Sequence, residues 1–219
     1  MHSLDASVSF PRMILTPIAL EELDDLLARY ELALPPGGLE RAVFQRIAAS
    51  RAVLGGDEAT WHRDAVALAA EFGMAPIDEP PQRAFSWDGA AVRTRSEPAV
   101  LLHEVAHFQL ASPARRRLVD FGLGAGPETG KAAAAEAMRR IDGLAREEEE
   151  QQASLLGILW EIELGQPAIL AFQEQNWLEG AGRPGTADFF ARTLARLGAA
   201  GLIGADGRPH RALRITPDP

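Results

Sequence analysis

The sequence predicts a mainly helical protein, α+β in the sense that it carries a small β hairpin or sheet. Apolar residues recur at helical spacing through most of its length, and Gly- and Pro-rich breaks divide these stretches into pieces of ordinary helix length. β-like texture is confined to the Pro-rich region between Gly73 and Pro98. At 219 residues the chain suits one compact unit, with room for a small appended lobe, and can bury a core without cross-links.

The first helix is expected over Pro17 to Tyr30, which has apolar residues at helical spacing, acids in its early turns, and a stop at Pro35-Pro36-Gly37-Gly38. A second runs from about Leu39 to Leu54. Gly55-Gly56-Asp57 interrupts, and Glu58 to Phe72 resumes the period with Trp61, Ala65, Leu68 and Phe72 on one side. Two short β-like pieces follow, Arg83 to Trp87 and Ala90 to Thr94, and Asp88-Gly89 between them predicts a hairpin. Glu97 to Leu110 returns to helix, with Ser96 as the candidate N-cap and Pro98 in the first turn. Ser112 and Pro113 open a short helix through Leu118. Lys131 to Leu164 is rich in Ala, Glu, Leu and Arg and divides at Gly143; Gly165-Gln166-Pro167 ends it. An apolar segment, Ala168 to Phe172, a loop around Gly180 to Gly185 and an amphipathic helix from Thr186 to Leu197 complete the series.

Composition narrows the chemistry. With no cysteine there are no disulfides, thiolate ligands or thiol nucleophiles, so histidines and carboxylates must do any metal binding. A formal charge of −9 argues against a nucleic-acid partner, because binding phosphates requires clustered Lys and Arg. Met1 to Met13 lacks the basic start and apolar run of a signal peptide, and no apolar run approaches the roughly 20 residues of a membrane span. A cytoplasmic protein without membrane partners is the expectation.

The predicted helix Glu97 to Leu110 contains His103-Glu104-Val105-Ala106-His107. Histidines four apart on a helix project from one face, one turn apart, and can share a metal ion. A chain of ordinary composition contains this pattern by accident only roughly one time in a hundred. Val100, Leu101, Leu102, Val105, Ala106 and Phe108 make the helix apolar nearly all round, hence buried, and buried polar groups need partners. The plainer alternative is that the histidines are satisfied within the core and Glu104 pairs with an Arg. On the metal reading, residues 61–219 form the metal-binding domain and residues 1–60 an N-terminal helical extension.

A third ligand is expected from the acidic run Glu147-Glu148-Glu149-Glu150, because these acids lead straight into an apolar helix and one should be carried inward. The apolar stripe Leu155, Leu159, Ile162 points back at Glu148, whereas Ala153 and Gly157, small enough for close helix approach, lie under Glu150. Periodicity leaves both open. A His-Glu-x-x-His helix packed against a Glu-bearing helix is a zincin-like arrangement.

The run from Leu102 through His103-Glu-Val-Ala-His107 and Ala114-Arg-Arg-Arg-Leu-Val-Asp-Phe-Gly122 resembles the elongation factor P hydroxylase family. That family pairs the same metal helix with an Ala-Arg-Arg-x-x-Val-Asp-Tyr/Phe-Gly continuation. The acidic helix, the Gly165-Gln-Pro167 stop and Asn176-Trp-Leu-Glu-Gly180 follow in a similar order, so the resemblance covers about half the chain. It does not extend to residues 1–60, and Leu123-Gly-Ala-Gly-Pro-Glu-Thr129 replaces the family's aromatic, Cys-containing Pro-Asp-Gly segment.

The resemblance implies an iron(II)-dependent hydroxylase that uses dioxygen on a protein substrate, a modified lysine of elongation factor P or a related protein. Aligned without a gap, it places the third ligand at Glu150, beside His103 and His107. Two His and one carboxylate leave positions for dioxygen and substrate. Glu104 would then orient a ligand or bound water. Asp120 is a candidate to accept from the free N–H of a ligand imidazole or to bind substrate, against the plainer reading of an N-cap or salt bridge after a basic helix. Arg95, like Arg93 and Arg115-Arg116-Arg117, is a candidate for holding an acidic or carboxylate substrate group, against the simpler reading of surface ion pairs.

The same ligands suit a zinc peptidase in which Glu104 is the general base, so spacing does not separate zinc from iron. A non-enzymatic module with a structural metal needs a fourth ligand. His62 and His210 lie in polar stretches that suit surface positions. Phe85, Trp87, Phe108 and Phe121 are expected as core or pocket wall.

Overall fold

The computed structural model describes residues 20–141, 143–179, 181, 183 and 185–218, with side chains from Glu22 onward. Pro17–Ala19, the start of the first expected helix, and the Met1–Met13 stretch lie outside the described residues. The fold is mainly helical with one small sheet.

Helix α1 (Leu20–Ala33) continues past Tyr30 and stops before Pro35-Pro36, where proline removes a donor and restricts the preceding residue. Helix α2 (Leu39–Ala49) tightens into a 3₁₀ turn at Ser50–Val53. Helix α3 (Glu58–Glu71) starts at Asp57, whose carboxylate accepts from the Ala59 N–H at 3.1 Å and the Thr60 hydroxyl at 2.5 Å.

The expected hairpin is realised only as a turn. Asp88 accepts from the N–H groups of Ala90 and Ala91, and a single antiparallel bridge joins Trp87 to Val92. The strand partner comes from elsewhere: β1 (Ala75–Ile77) pairs in parallel with β2 (Ala91–Arg93), in the register Ala75 to Ala91. Residues 83–87 form no strand because Pro81–Arg83 is a 3₁₀ turn that ends at Ala84 with φ −156° and ψ −89°.

The motif helix α4 (Pro98–Leu110) begins at Glu97 rather than Ser96 and has no side-chain cap; Ser96 is buried instead. Pro98 fills the first helical position, where its missing N–H costs nothing. The expected helix Ser112 to Leu118 is replaced by two 3₁₀ turns, Arg115–Arg117 and Val119–Gly122. Asp120 (φ 40°) and Phe121 (φ 55°) are left-handed, a conformation that costs on the order of 1 kcal/mol or more in a non-glycine residue. Hydrogen bonds from the Asp120 N–H to the Trp87 carbonyl and from Arg115 Nε to the Phe121 carbonyl, each 2.9 Å, hold it.

The break at Gly143 is observed, separating α5 (Ala132–Ala137) from α6 (Gly143–Glu163). The apolar segment after Pro167 is helix α7 (Ala168–Glu174), and the amphipathic helix is α8 (Thr186–Ala199). Residues 180, 182 and 184 of the expected loop lie outside the described residues.

Helix α6 packs against α4 on one side and touches α2, α7 and α8 elsewhere; α3 lies along α4. Tyr30 stacks on Phe44 at 4.7 Å between ring centres, and Phe172, Phe190 and Trp177 complete that cluster. The N-terminal helices therefore bury their apolar faces on the core that backs the motif. No described helix is long and apolar enough to cross a membrane.

Candidate metal centre

Helix α4 is buried nearly all round, so its polar residues are fixed by their neighbours. The decisive neighbour is α6, and Gly157 sets the approach. A Cβ at Gly157 would lie 3.2 Å from the His103 backbone nitrogen and 3.3 Å from its Cα. Two turns toward the start of α6 from that contact, the Glu150 carboxylate meets both imidazoles.

His103 Nε2 and His107 Nε2 are 2.9 Å apart, and each is 3.3 Å from Glu150 Oε2. Atoms that share one ion at the usual 2.0–2.2 Å, with bond angles of about 90–110°, lie about 2.8–3.6 Å from one another. All three separations fit, and two imidazoles with a carboxylate are a donor set for zinc or iron(II). His103, His107 and Glu150 can therefore hold a metal ion.

The other acids of the run are otherwise engaged. Glu147 is exposed, Glu148 is exposed and pairs with Arg196 at 2.8 Å, and the buried Glu149 gives both oxygens to the Arg115 guanidinium. The stripe that pointed at Glu148 misleads because α6 is buried on all sides from Ala153 to Glu161, so Leu155 and Leu159 do not mark one face.

Burial opposes charge on His107, but Glu150 and Glu149 outweigh it and raise its imidazole well above the ordinary range. Burial and the neighbouring His107 lower His103. Burial also opposes ionisation of Glu150, yet the two histidines hold its carboxyl far below the usual carboxylate range. Because a metal ion takes imidazoles in their neutral form, binding here would compete with protonation of His107. Burial pushes Glu104 up to about 8.

The three donors lie in the wall of a cavity of about 770 Å³. Glu104 and Asp120 also line it, as do Phe121, Trp177 and Phe189. Among the aromatics read as core or wall, Trp87 and Phe108 are buried against Phe121, and Phe85 lies under the Lys131 ammonium at 5.8 Å.

Asp120 does not hold a ligand imidazole. Its left-handed turn aims Oδ1 at the Trp87 N–H (3.2 Å) and Oδ2 at the Thr129 hydroxyl (2.6 Å). Burial raises its pKa. Arg95 is not among the cavity-lining residues; it forms a two-pronged pair with Asp78 at the surface. Arg93 pairs with Glu79 and Asp88, and Arg116 lies over Phe108 and donates to the Phe108 and Arg214 carbonyls. His62 is half-buried with Nε2 at 2.6 Å from the Thr94 carbonyl oxygen, and His210 is exposed; neither lines the cavity.

Sequence reasoning missed the far wall of the cavity: Glu174, Trp177, Arg183 and Phe189. Only Trp177 stood in a quoted motif, and nothing in its spacing marks a site. Arg115, read as a substrate-holding or surface residue, is instead buried and paired with Glu149, which its place in a run of three arginines does not suggest. Comparison with protein-family models, with curated proteins and with solved structures finds no match to this chain.

Proposed function

We propose that this chain is a non-heme iron hydroxylase of a protein or amino-acid side chain, built on a zincin-like pair of helices and similar in its site to the elongation factor P hydroxylases. One observation carries the reading: donor atoms of His103, His107 and Glu150 lie within 4.8 Å of one another, and a cavity large enough for a side-chain substrate opens beside them. A structural metal would be closed by a fourth protein ligand, and the described residues offer no further histidine or acid within that cluster. The resemblance of Leu102–Gly122 to the hydroxylases then favours iron and oxygen transfer.

Iron(II) held there supplies dioxygen activation. The protein's own residues do the rest. His107, almost wholly buried, and the half-buried His103 and Glu150 would hold the ion, and all three line the cavity. Glu104, raised to about 8 by burial, can hold a proton beside the reacting group near neutral pH. Phe121, Trp177 and Phe189 give the cavity apolar walls. Glu97, Glu128 and Glu174 outnumber the one lining guanidinium, Arg183, so the field favours a cationic, amine-bearing side chain. This suits a modified lysine of elongation factor P or a related protein.

A second reading, a zinc hydrolase, is favoured by one observation: Glu104 lines the same cavity as the three donors, the place a general base for a zinc-bound water would occupy. The two are separated by dioxygen uptake of iron-loaded protein, with reductant and amine-bearing peptides including a lysine-modified elongation factor P. Uptake that depends on substrate and produces a hydroxylated residue is expected. No uptake from the iron-loaded protein, with peptide cleavage by the zinc-loaded one, overturns the hydroxylase in favour of the hydrolase.

A further inference from the structure

The imidazole of His107 is held on three sides. Its Nε2 faces His103 and Glu150, and the Phe121 ring stacks at 5.7 Å between centres. Its Nδ1 is buried without a hydrogen bond inside the usual limit, and a Glu149 carboxylate oxygen lies 3.5 Å away. Glu149 is fixed in turn. Arg115 Nη1 donates to Oε2 at 2.7 Å and Arg115 Nη2 donates to Oε1. The guanidinium is itself tied by Nε to the Phe121 carbonyl at 2.9 Å and by Nη1 to Asp218 at 3.3 Å. Asp218 also accepts from the Ser112 hydroxyl at 2.5 Å.

We infer that Glu149 is the positioning carboxylate of the metal centre, and that Arg115 and the tail residue Asp218 hold it against His107 Nδ1. The inference rests on the reading of His103, His107 and Glu150 as metal ligands. A hydrogen on Nδ1, held by Glu149, leaves the Nε2 lone pair aimed at the ion and makes the imidazole a better donor. Arg115 occupies both Glu149 oxygens, which keeps this carboxylate out of the ligand set although it neighbours Glu150 in sequence.

Stability alone does not account for the Arg115–Glu149 pair. A buried ion pair contributes little beyond what well-packed apolar residues of similar size would supply. Orientation of His107 is a role that apolar residues cannot fill. Residues 210–214 are tied to α4 by separate contacts: Gln109 Nε2 donates to the His210 and Ala212 carbonyls at 2.8 Å, and the Arg214 N–H donates to the Gln109 carbonyl at 2.9 Å. The tail is thus laced to the metal-bearing helix one turn or less from His107.

The test measures zinc(II) affinity of the full chain by competition with a chromophoric chelator, alongside the imidazole N–H resonances of the zinc-loaded protein. The double variant Arg115→Met with Glu149→Leu removes both buried charges together and keeps the packing volume. Zinc affinity should fall about 10–100-fold, the usual cost of losing such a partner, and the downfield His107 Nδ1–H resonance should disappear. Glu149→Gln, which keeps the shape and one acceptor, should lose about tenfold. Asp218→Asn should weaken zinc less than either. If the folded double variant, or Glu149→Gln should the double variant fail to fold, binds zinc as tightly as the unaltered chain, the inference is overturned. If the unaltered chain binds no zinc, the metal reading falls and this inference with it.

Discussion

Gly157→Ala offers a sharp test of the packing that builds the site, because two effects of opposite sign meet there. In an exposed helix interior, replacing Gly by Ala stabilises by about 1 kcal/mol. At Gly157 the new methyl would meet His103 N at 3.2 Å, His103 Cα at 3.3 Å and the Leu102 carbonyl carbon at 3.4 Å. All three are backbone atoms of a buried helix, so no side chain can swing away, and α6 and α4 must separate by a few tenths of an ångström. Overpacking of this kind costs about 1–3 kcal/mol. The helical gain and the packing cost together predict a net change from about zero to a loss of about 2 kcal/mol. The same separation moves Glu150 away from the imidazoles, and metal sites tolerate errors of only about 0.2 Å. Urea denaturation of the metal-free protein and zinc titration of the folded protein measure the two effects. A variant about 1 kcal/mol more stable, with unchanged zinc affinity, would refute the close approach.

His103→Ala and Glu150→Ala each abolish stoichiometric metal binding in equilibrium dialysis, whereas Glu104→Gln keeps the metal and lowers turnover; metal retained in full by Glu150→Ala would remove it from the ligand set. Arg95→Ala leaves activity and KM unchanged in steady-state assays, because its partner is the surface Asp78 and it does not line the cavity. Glu161 is buried and raised to about 8, by burial first and by Glu174 second. Its folded pKa lies above the unfolded value of 4.5, so its contribution is fully favourable below about pH 4.5 and is lost as pH rises through about 8, at up to about 1.4 kcal/mol per pH unit. Glu161→Gln should therefore flatten the decline in stability between about pH 5 and 8 in urea melts taken across that range, and an identical pH profile in both proteins would contradict it.

The metal motif is legible in the sequence because a four-residue spacing on a helix by itself places two imidazoles together. The helices are legible for a similar reason: Asp57, Gly143 and Pro167 mark their ends through local chemistry. The third ligand is only half legible. Small residues at 153 and 157 mark the close face of α6, but leucines buried on its other sides blur that face. What sequence does not carry is long-range pairing. β2 takes its partner from Ala75–Ile77 across a loop, not from its neighbour beyond Asp88-Gly89, and Arg115 is drawn inward by Glu149 and Asp218. Asp120 departs from expectation for the same kind of reason, since its N–H and its carboxylate are taken up by Trp87 and Thr129, which lie outside its own segment.

We propose that His103, His107 and Glu150 bind a metal ion, and that the ion is iron. Elemental analysis of the protein purified without oxygen, with the Glu150→Ala variant prepared in parallel, tests both parts. About one iron per chain in the unaltered protein, and none in the variant, is the predicted result. One zinc per chain would contradict the iron assignment, and no metal in either protein would contradict the metal centre itself.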